Sequence, residues 1–404
     1  MKKSAPVEYT GKIYLGMLLH IYQPPMQFRE VLQLISQECY VPLLNFINRE
    51  PAARFTINLN WSLTEQLLKN NLEEVVNLLK TALQQKRIEM TGSSAYHAIL
   101  PLIPHEERIR QIQLNTRRHQ KVFGKAFNPQ GLFPPEMAVG PELLESLKEL
   151  NFKWLITDDL PYSLINKRVP YDYIAKSMGT GVFLRSNLWS NKISLDRDEK
   201  GKPYSGKQIF KWLEQGLSGW FKHKDGYLIL AMDGETFGHH IKGYIEDFLI
   251  SFVKEIKRHP RFELLHLSEI FERFPLKQKP VPPGSWSTGK EDFWDGNFFP
   301  LWKSPRSTPH KILWDLTEMA LQGTRKLRDK MDKSLTSCTS WWAAQSPEQL
   351  SPMTFRGVEQ LLEVIKLASP NDFYRALKLR DELIQEFEKR QKENLLKKSE
   401  AQNG

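Results

Sequence analysis

Cysteine is scarce in this chain: its 404 residues include only Cys39 and Cys338. Two cysteines cannot form the disulfide framework of small secreted domains, and such scarcity fits a reducing compartment. The N-terminal residues also lack a convincing secretory signal, because residues 4–11 are polar and the apolar run at 13–19 is short and late. We therefore expect a cytoplasmic protein.

Long hydrophobic runs are absent as well. No stretch of about 18 apolar residues occurs, so the sequence predicts no membrane-spanning helix. Hydrophobic residues make up 40% of the chain and charged residues 26%, which is the balance of a folded globular protein. The length suffices for one large barrel with an appendage or for two ordinary domains.

A concentrated cluster of one charge is also missing, although the formal net charge is +10. Basic residues are interleaved with acids, as in residues 375–382 (RALKLRDE), and no compact Lys/Arg cluster alternates with aromatic residues. Proteins that bind single-stranded nucleic acid combine basic and aromatic residues in that way. The sequence therefore favours a solvated basic surface and no nucleic-acid partner.

Strand-like and helix-like segments alternate along most of the chain. This alternation indicates a parallel sheet of the α/β class, and the number of strands favours closure into a barrel. Residues 169–207 interrupt the rhythm, and their Gly, Ser and Asn content predicts loops inserted over one face. The predicted strands are residues 13–19, 54–60, 87–91, 131–133, 153–157, 227–232 and 262–265.

A proline-rich segment, residues 275–284, divides the chain. Before it we predict a catalytic β/α barrel in residues 1–275. After it we predict a mostly helical, tryptophan-rich region in residues 276–388. Residues 389–404 are polar and are predicted to form a tail that frays.

Polar and ionisable residues follow the C-terminal ends of the predicted strands, where barrel enzymes carry their chemistry. Taken singly, several have structural explanations. His20 can cap or pack in the core, Glu89 can pair with Arg87, and Asp158 with Asp159 can cap a turn. As a set they favour an enzyme. The set is His20, Glu89, Glu136, Asp158, Asp159, Asp233 and His266.

Two carboxylate positions are harder to explain structurally. Glu136 follows Pro134 and Pro135, whose rigid backbone would hold it in front of the barrel. Asp233 and Glu235 follow a strand, and continued strand alternation would point both acids into one space. Two acids acting across one bond are the machinery of most glycosidases. The residues alone do not show whether Asp233 or Glu235 is the second acid of such a pair.

At these residues the chain resembles glycoside hydrolase family 57, a group of α-glucan-active enzymes that includes α-amylases, 4-α-glucanotransferases and branching enzymes. The matches follow the family's order across most of the chain, so they are specific as a set. Two positions depart: Tyr22 stands where the family usually has histidine, and Phe133 stands near a usual tryptophan. The matching segments are residues 20–25 (HIYQPP), 87–92 (RIEMTG) continuing into 96–102, 131–136 (GLFPPE), 233–239 (DGETFGH) and the tryptophan-rich 337–342 (SCTSWW).

The resemblance implies a distorted (β/α)7-type barrel followed by a mostly helical C-terminal region, and a retaining mechanism without metal or cofactor. It assigns Glu136 as nucleophile and Asp233 as general acid/base, acting on an α-glucan oligo- or polysaccharide. Glu136 should then be ionised, hydrogen-bonded and near positive charge, whereas Asp233 should be buried beside negative charge so that it keeps its proton. Candidate substrate-binding residues are His20, Glu89, His97, Glu235, His239, Trp61, Trp341 and Trp342, with Trp286 as a further aromatic surface for a sugar.

Two other functions stay open on the sequence. A metal-dependent carbohydrate deacetylase on a related barrel needs an aspartate and two histidines, which Asp158, Asp159, His239 and His240 match in part. A non-catalytic carbohydrate-binding protein would keep the fold, but degenerate barrels commonly lose the acids that are intact here. The sequence predicts neither the preferred glucan length nor the oligomeric state.

Overall fold

The structure, a computed structural model, describes residues 10–322, 327–345 and 351–403. In these ranges one sheet contains ten strands, and each strand predicted above is present with ends that differ by at most two residues. The strands are β1 (Ile13–Ile21), β2 (Phe55–Leu59), β3 (Ile88–Met90), β4 (Gly131–Leu132), β5 (Trp154–Asp158), β6 (Ile174–Ser177), β7 (Thr180–Arg185), β8 (Gly226–Asp233), β9 (Phe262–Leu265) and β10 (Leu276–Gln278).

Helices separate most of the strands and make up the C-terminal region. No helix among the described residues is both long and apolar enough to cross a membrane. The α-helices are α1 (Arg29–Ile35), α2 (Val41–Arg49), α3 (Trp61–Lys69), α4 (Glu73–Gln84), α5 (His105–Phe123), α6 (Pro141–Ser146), α7 (Asp159–Asn166), α8 (Asn187–Ser194), α9 (Gly206–Ser218), α10 (Ser251–Arg258), α11 (Leu267–Arg273), α12 (Lys290–Trp294), α13 (Thr308–Leu321), α14 (Arg328–Ser334), α15 (Cys338–Gln345), α16 (Pro352–Ala368) and α17 (Phe373–Asn403). Two π-helical segments, Ser36–Tyr40 and Ile245–Ile250, precede α2 and α10.

Strand β1 lies at the centre of the sheet and pairs in parallel with β2, β8 and β9. Parallel pairing continues from β2 to β3, and from β8 through β7 and β5 to β4. An isolated parallel bridge between Gly92 and Leu132 connects the end of β3 to β4. Seven strands are therefore linked in a continuous path, which is consistent with a distorted (β/α)7-type barrel. The predicted α/β class with a helical C-terminal region is confirmed.

The prediction of loops across residues 169–207 is wrong. This segment contains β6, β7 and α8, and β6 pairs antiparallel with β7. All of β7 is buried, since it lies between β5 and β8 in the sheet. A strand covered on both faces shows no polar alternation, so a short one that begins Thr180-Gly181 carries little signal in the sequence.

The predicted division at residue 275 cuts through the sheet. Strand β10 pairs in parallel with β6, so the sheet extends to Gln278. Residues 389–403, for which a polar tail was predicted, continue α17. An apolar cluster joins α13, α14, α16 and α17, which gives the C-terminal region a core of its own.

The side chains of β1 show how the barrel positions the site. Met17 and Leu19 pack among the outer helices, whereas Leu18 packs inside the barrel with Ala231 of β8. Because side chains alternate along a strand, His20 faces the same interior as Leu18. His20 therefore stands above the interior core at the C-terminal end of the sheet.

Candidate active site

Glu136 stands on a short helical turn just beyond the end of β4. Two prolines lead into this turn, and Met137 N donates to Pro134 O (2.8 Å). Glu136 has φ 61° and Met137 has φ 50°, both in the left-handed region. Non-glycine residues rarely adopt that conformation, and such outliers recur at active sites. The backbone thus holds the carboxylate at the rim at some energetic cost.

Two neutral donors hold the Glu136 carboxylate. Trp286 Nε1 donates to Oε2 (2.7 Å), and Ser337 Oγ donates to Oε1 (3.2 Å). Behind Ser337, His97 Nδ1 lies 2.8 Å from the serine Oγ and 3.6 Å from Glu136 Oε1. Because the serine proton is directed to the carboxylate, the short contact places a proton on His97 Nδ1. His97, Ser337 and Glu136 therefore form a hydrogen-bonded relay.

The protonation of Glu136 is set by opposing influences. Burial is the largest influence and raises its pKa to about 7, and the charge of Asp233 acts in the same direction. The hydrogen bonds from Trp286 and Ser337 act to lower this pKa. The expected positive charge is not supplied by His97, because burial lowers the pKa of this imidazole well below its usual value. Neutral hydrogen-bond donors take the place that the sequence analysis gave to a cation.

Asp233 is the last residue of β8, and it is paired in register with His20 of β1. It is exposed, unlike the rest of that strand, so the expectation of a buried acid is wrong. Its charge acts to raise the pKa of four neighbours, namely His20, Glu136, Glu235 and His240. Asp233 therefore faces the open space above the barrel, within electrostatic reach of Glu136.

His20 lies between these acids and the neighbouring strands. Its Nδ1 is 2.6 Å from Asn58 Oδ1, and Asn58 Nδ2 donates to Thr91 Oγ1 (3.0 Å). The ring stacks at 5.0 Å from Phe133 and at 5.1 Å from His97. Burial lowers the pKa of His20, against the opposing charge of Asp233. The predicted place of His20 and His97 beside the two acids agrees with this geometry.

Tyr22, the departure from the family pattern, joins the same group of rings. Its ring lies 3.9 Å from that of His97 at an interplanar angle of 14°. The Tyr22 hydroxyl hydrogen-bonds with Thr336 Oγ1 (2.8 Å). His97 Nε2 is buried without a hydrogen-bond partner among the described residues. The phenol therefore ties the end of β1 to the segment that carries Ser337.

Glu235 does not share the space of Asp233. Strand β8 ends at Asp233 and a 3-10 turn (Gly234–Thr236) follows, so the strand alternation stops before Glu235. Glu235 Oε1 accepts from Tyr22 N (3.2 Å), from Gln23 Nε2 (3.3 Å) and from the Tyr40 hydroxyl. Its residue is 4% exposed, and burial raises its pKa to about 7. Glu235 thus anchors the loop after β1 from below the rim.

Three further predicted sugar-binding residues make contacts within the protein. Glu89 accepts from Thr56 Oγ1 (2.7 Å) and from a backbone N–H of α11 (3.1 Å), one layer below His20. His239 Nδ1 contacts Glu38 Oε2 (2.7 Å). Trp61 is buried in a small apolar cluster beside Tyr96. Glu89 and His239 are thus engaged by protein partners, and Trp61 is buried among apolar side chains.

The predicted tryptophans of the C-terminal region are half-buried. Trp341 packs against the apolar cluster of Ile99, Ala138 and Trp302, in which Ala138 directly follows the Glu136 turn. Trp342 meets Trp341 edge to face, with ring centroids 5.7 Å apart. Trp341 therefore supports the turn by packing.

The residues that the sequence analysis missed are those that hold the acids. Ser337 appeared only as the start of a motif, and Trp286 only as a flat surface for a sugar. Tyr40 and Thr336 were not recognised as parts of the site. Trp286 and Ser337 lie 150 and 201 residues from Glu136 in the sequence. No local sequence pattern indicates a contact at such separations.

The ligand set of a deacetylase does not assemble. Asp158 Oδ2 accepts from Arg185 Nη1 (2.7 Å), and Asp158 also caps α7. His239 is engaged by Glu38, as described above. Within residues 10–322, 327–345 and 351–403, no group of three or more His, Cys, Asp and Glu side chains is arranged to hold a metal ion.

Comparison with known proteins adds a family to this geometry. A model of glycosyl hydrolase family 57 matches residues 7–282. An α-amylase from Pyrococcus horikoshii is 24% identical over 269 residues, which cover 64% of this chain and 40% of that protein. The chain thus spans less than half the length of this curated relative.

Solved structures share the fold. The 4-α-glucanotransferase of Thermococcus litoralis has a TM-score of 0.70 at 18% identity, over 89% of this chain and 60% of that chain. A family-57-type branching enzyme from Pyrococcus horikoshii has a TM-score of 0.64 at 17% identity, over 94% of both chains. The likeness to the branching enzyme therefore includes the helical C-terminal region.

Proposed function

Since the chain belongs to glycosyl hydrolase family 57, we propose that it is a retaining glycosidase or transglycosylase acting on α-1,4-linked glucans. Glu136 is the nucleophile, and Asp233 is the general acid/base. The observation that carries this proposal is the contrast between the two acids. Glu136 is held by Trp286 and Ser337, whereas Asp233 is exposed at the end of β8.

The proposed reaction has two steps. Glu136 Oε attacks the anomeric carbon while Asp233 gives its proton to the glycosidic oxygen, so the C–O bond breaks and a glycosyl ester forms. Asp233 then takes a proton from water or from a hydroxyl of a second glucan, which displaces Glu136. Each displacement inverts the anomeric centre, so the product keeps the α configuration.

The environment of each acid suits its proposed role in a different way. The indole and serine donors favour the ionised form of Glu136 against burial. A glucan bound over the rim would cover the exposed Asp233 and favour its neutral, proton-donating form. Esterification removes the charge of Glu136, which favours the ionised form of Asp233 that the second step uses as a base.

Hydrolysis and transfer both fall within the proposal. Both use the same first step and differ in the acceptor, water or sugar hydroxyl, that reaches the ester. The names of the relatives cover both outcomes, since they include an α-amylase and a 4-α-glucanotransferase. We further propose a cytoplasmic location with a glucan as partner, in keeping with Cys39 and Cys338, which are free and buried.

Product analysis tests the proposal. We expect maltooligosaccharides to be shortened or redistributed in length, and proton NMR of fresh products to show the α anomer. Glu136→Gln should abolish this turnover. Glu263→Gln is the matched control, because Glu263 is an exposed acid near the opposite end of the sheet. A β-anomeric product, or full activity of Glu136→Gln, contradicts the assignment.

A further inference from the structure

A surface cavity of about 690 Å³ lies at the opposite end of the sheet from Glu136. Its lining includes Gln130 and Lys153, the residues directly before β4 and β5, whereas Glu136 follows β4. Residues 112–120 of α5 form another wall. Its volume is typical of pockets that bind small organic ligands. We call this cavity the lower cleft.

Amide side chains dominate the polar lining of the lower cleft. They are Gln113, Gln120, Asn128, Gln130 and Asn151, and no Asp or Glu is among the lining residues. Four of them are exposed, and Gln130 is half-buried. An amide offers both N–H donors and a carbonyl acceptor. Sugar hydroxyls also donate and accept, so this lining matches a neutral carbohydrate.

The floor of the lower cleft is apolar. Ile112 is buried, while Leu150 and Phe152 are half-buried and line the cavity. An apolar surface surrounded by amides suits a glucose unit, whose C–H face is apolar and whose edge carries hydroxyls. A strictly polar anion would gain nothing from such a floor.

One of the two cations of the lining, Arg117, is engaged by a neighbouring side chain. Arg117 Nη1 donates to Gln113 Oε1 (3.3 Å) on the preceding turn of α5. The lining side chains of α5 lie between Ile112 and Gln120.

We propose that the lower cleft binds a segment of a neutral α-glucan chain and anchors polymeric substrate at a distance from the acids. The proposal rests on the proposed function for its choice of glucan. A polymer held at both places is retained more strongly than a short oligosaccharide, which reaches only one of them.

The double variant Gln113→Ala with Gln120→Ala tests the lower cleft. Both glutamines are exposed on one face of α5, and alanine preserves the helix. The matched control is Gln84→Ala with Gln85→Ala, which removes two exposed glutamines at the end of α4. Retention of the full chain on amylopectin in affinity gels and turnover of maltoheptaose are both measured.

We expect the cleft variant to lose about 10-fold in affinity for amylopectin through its lost hydrogen bonds, with maltoheptaose turnover unchanged. Retention equal to that of the control overturns the lower cleft, as does competition by inorganic phosphate with no effect of maltooligosaccharides. Failure of the proposed function is distinguishable: turnover would then be absent from all variants, while amylopectin retention would still fall only in the cleft variant.

Discussion

The barrel and the segments that follow Gly284 contribute to the candidate site in different ways. The barrel carries the two acids, Glu136 and Asp233, at strand ends. The later segments carry the neutral donors, Trp286 and Ser337, that bind one of those acids. The barrel thus positions charge, and the C-terminal region controls how that charge is held.

The C-terminal region makes several contacts with the barrel residues around Glu136. Thr336 and Ser337 reach across to Tyr22 and His97, and Trp341 packs against the apolar cluster that contains Ala138. An acid that is buried without a cation depends on hydrogen bonds for its ionised form. The helical region is therefore part of the candidate site. Substitutions in the two regions should change turnover in different ways.

The largest effect should come from the acids of the barrel. Glu136→Gln should leave no measurable turnover, since it removes the attacking atom. Asp233→Ala should lower kcat on unactivated glucans by roughly 10²- to 10⁴-fold, the usual contribution of a general acid/base. Azide should restore turnover of an activated glucoside by Asp233→Ala and yield an α-glucosyl azide. Azide rescue that also occurs in Glu136→Gln would argue against this division of roles.

An intermediate effect should come from the donors of the C-terminal region. Trp286→Phe and Ser337→Ala should each lower kcat/KM by roughly 10- to 100-fold, because each removes a hydrogen bond to a charged group. Ser337→Thr retains the hydroxyl and should recover most of the loss. Trp294→Phe is the control, since Trp294 is 62% exposed. If Ser337→Thr were as impaired as Ser337→Ala, packing would explain the loss and the relay would not.

The pH dependence should link the two regions. Burial raises the pKa of Glu136 to about 7, and the proposed nucleophile must be ionised to attack. The rate constant kcat/KM should therefore fall as the pH drops below about 7. Trp286 lowers the pKa of Glu136, so Trp286→Phe should move this acidic limb to higher pH. A pH–rate profile of each protein checks the shift. An acidic limb at the same pH in both proteins would show that Trp286 does not control the ionisation of Glu136.

The smallest effect concerns stability. Burial raises the pKa of Glu235 to about 7, above the value of about 4.3 for an unfolded chain. The folded state therefore holds this proton more tightly, and stability falls as the pH rises between those two values. Glu235→Gln removes this loss, so its Tm relative to the original protein should be higher at pH 8 than at pH 5, on the order of a few degrees. Glu263→Gln should show no such change, and equal Tm differences at both pH values would contradict the prediction.

Much of the fold follows from local patterns. Seven strands were predicted with nearly correct ends, because apolar runs between helical patterns mark strands of a parallel sheet. Strand β7 was not predicted, because its burial on both faces removes the polar–apolar alternation that indicates a strand. The predicted boundary at residue 275 left β10 outside the barrel region. Its pairing with β6 joins segments that are distant in the chain, so no local pattern indicates it.

The sequence by itself determined which acids stand at strand ends, since the C-terminal ends of parallel strands meet at one edge of a sheet. Glu136 and Asp233 follow from that rule, and so does His20. Only the tertiary structure decided what each acid touches. It turned Glu235 towards Tyr40 and His239 towards Glu38, and it brought Trp286 and Ser337 to Glu136. Hydrogen bonds form between atoms that packing brings within about 3 Å, and residues far apart in the chain meet only when the whole fold has formed.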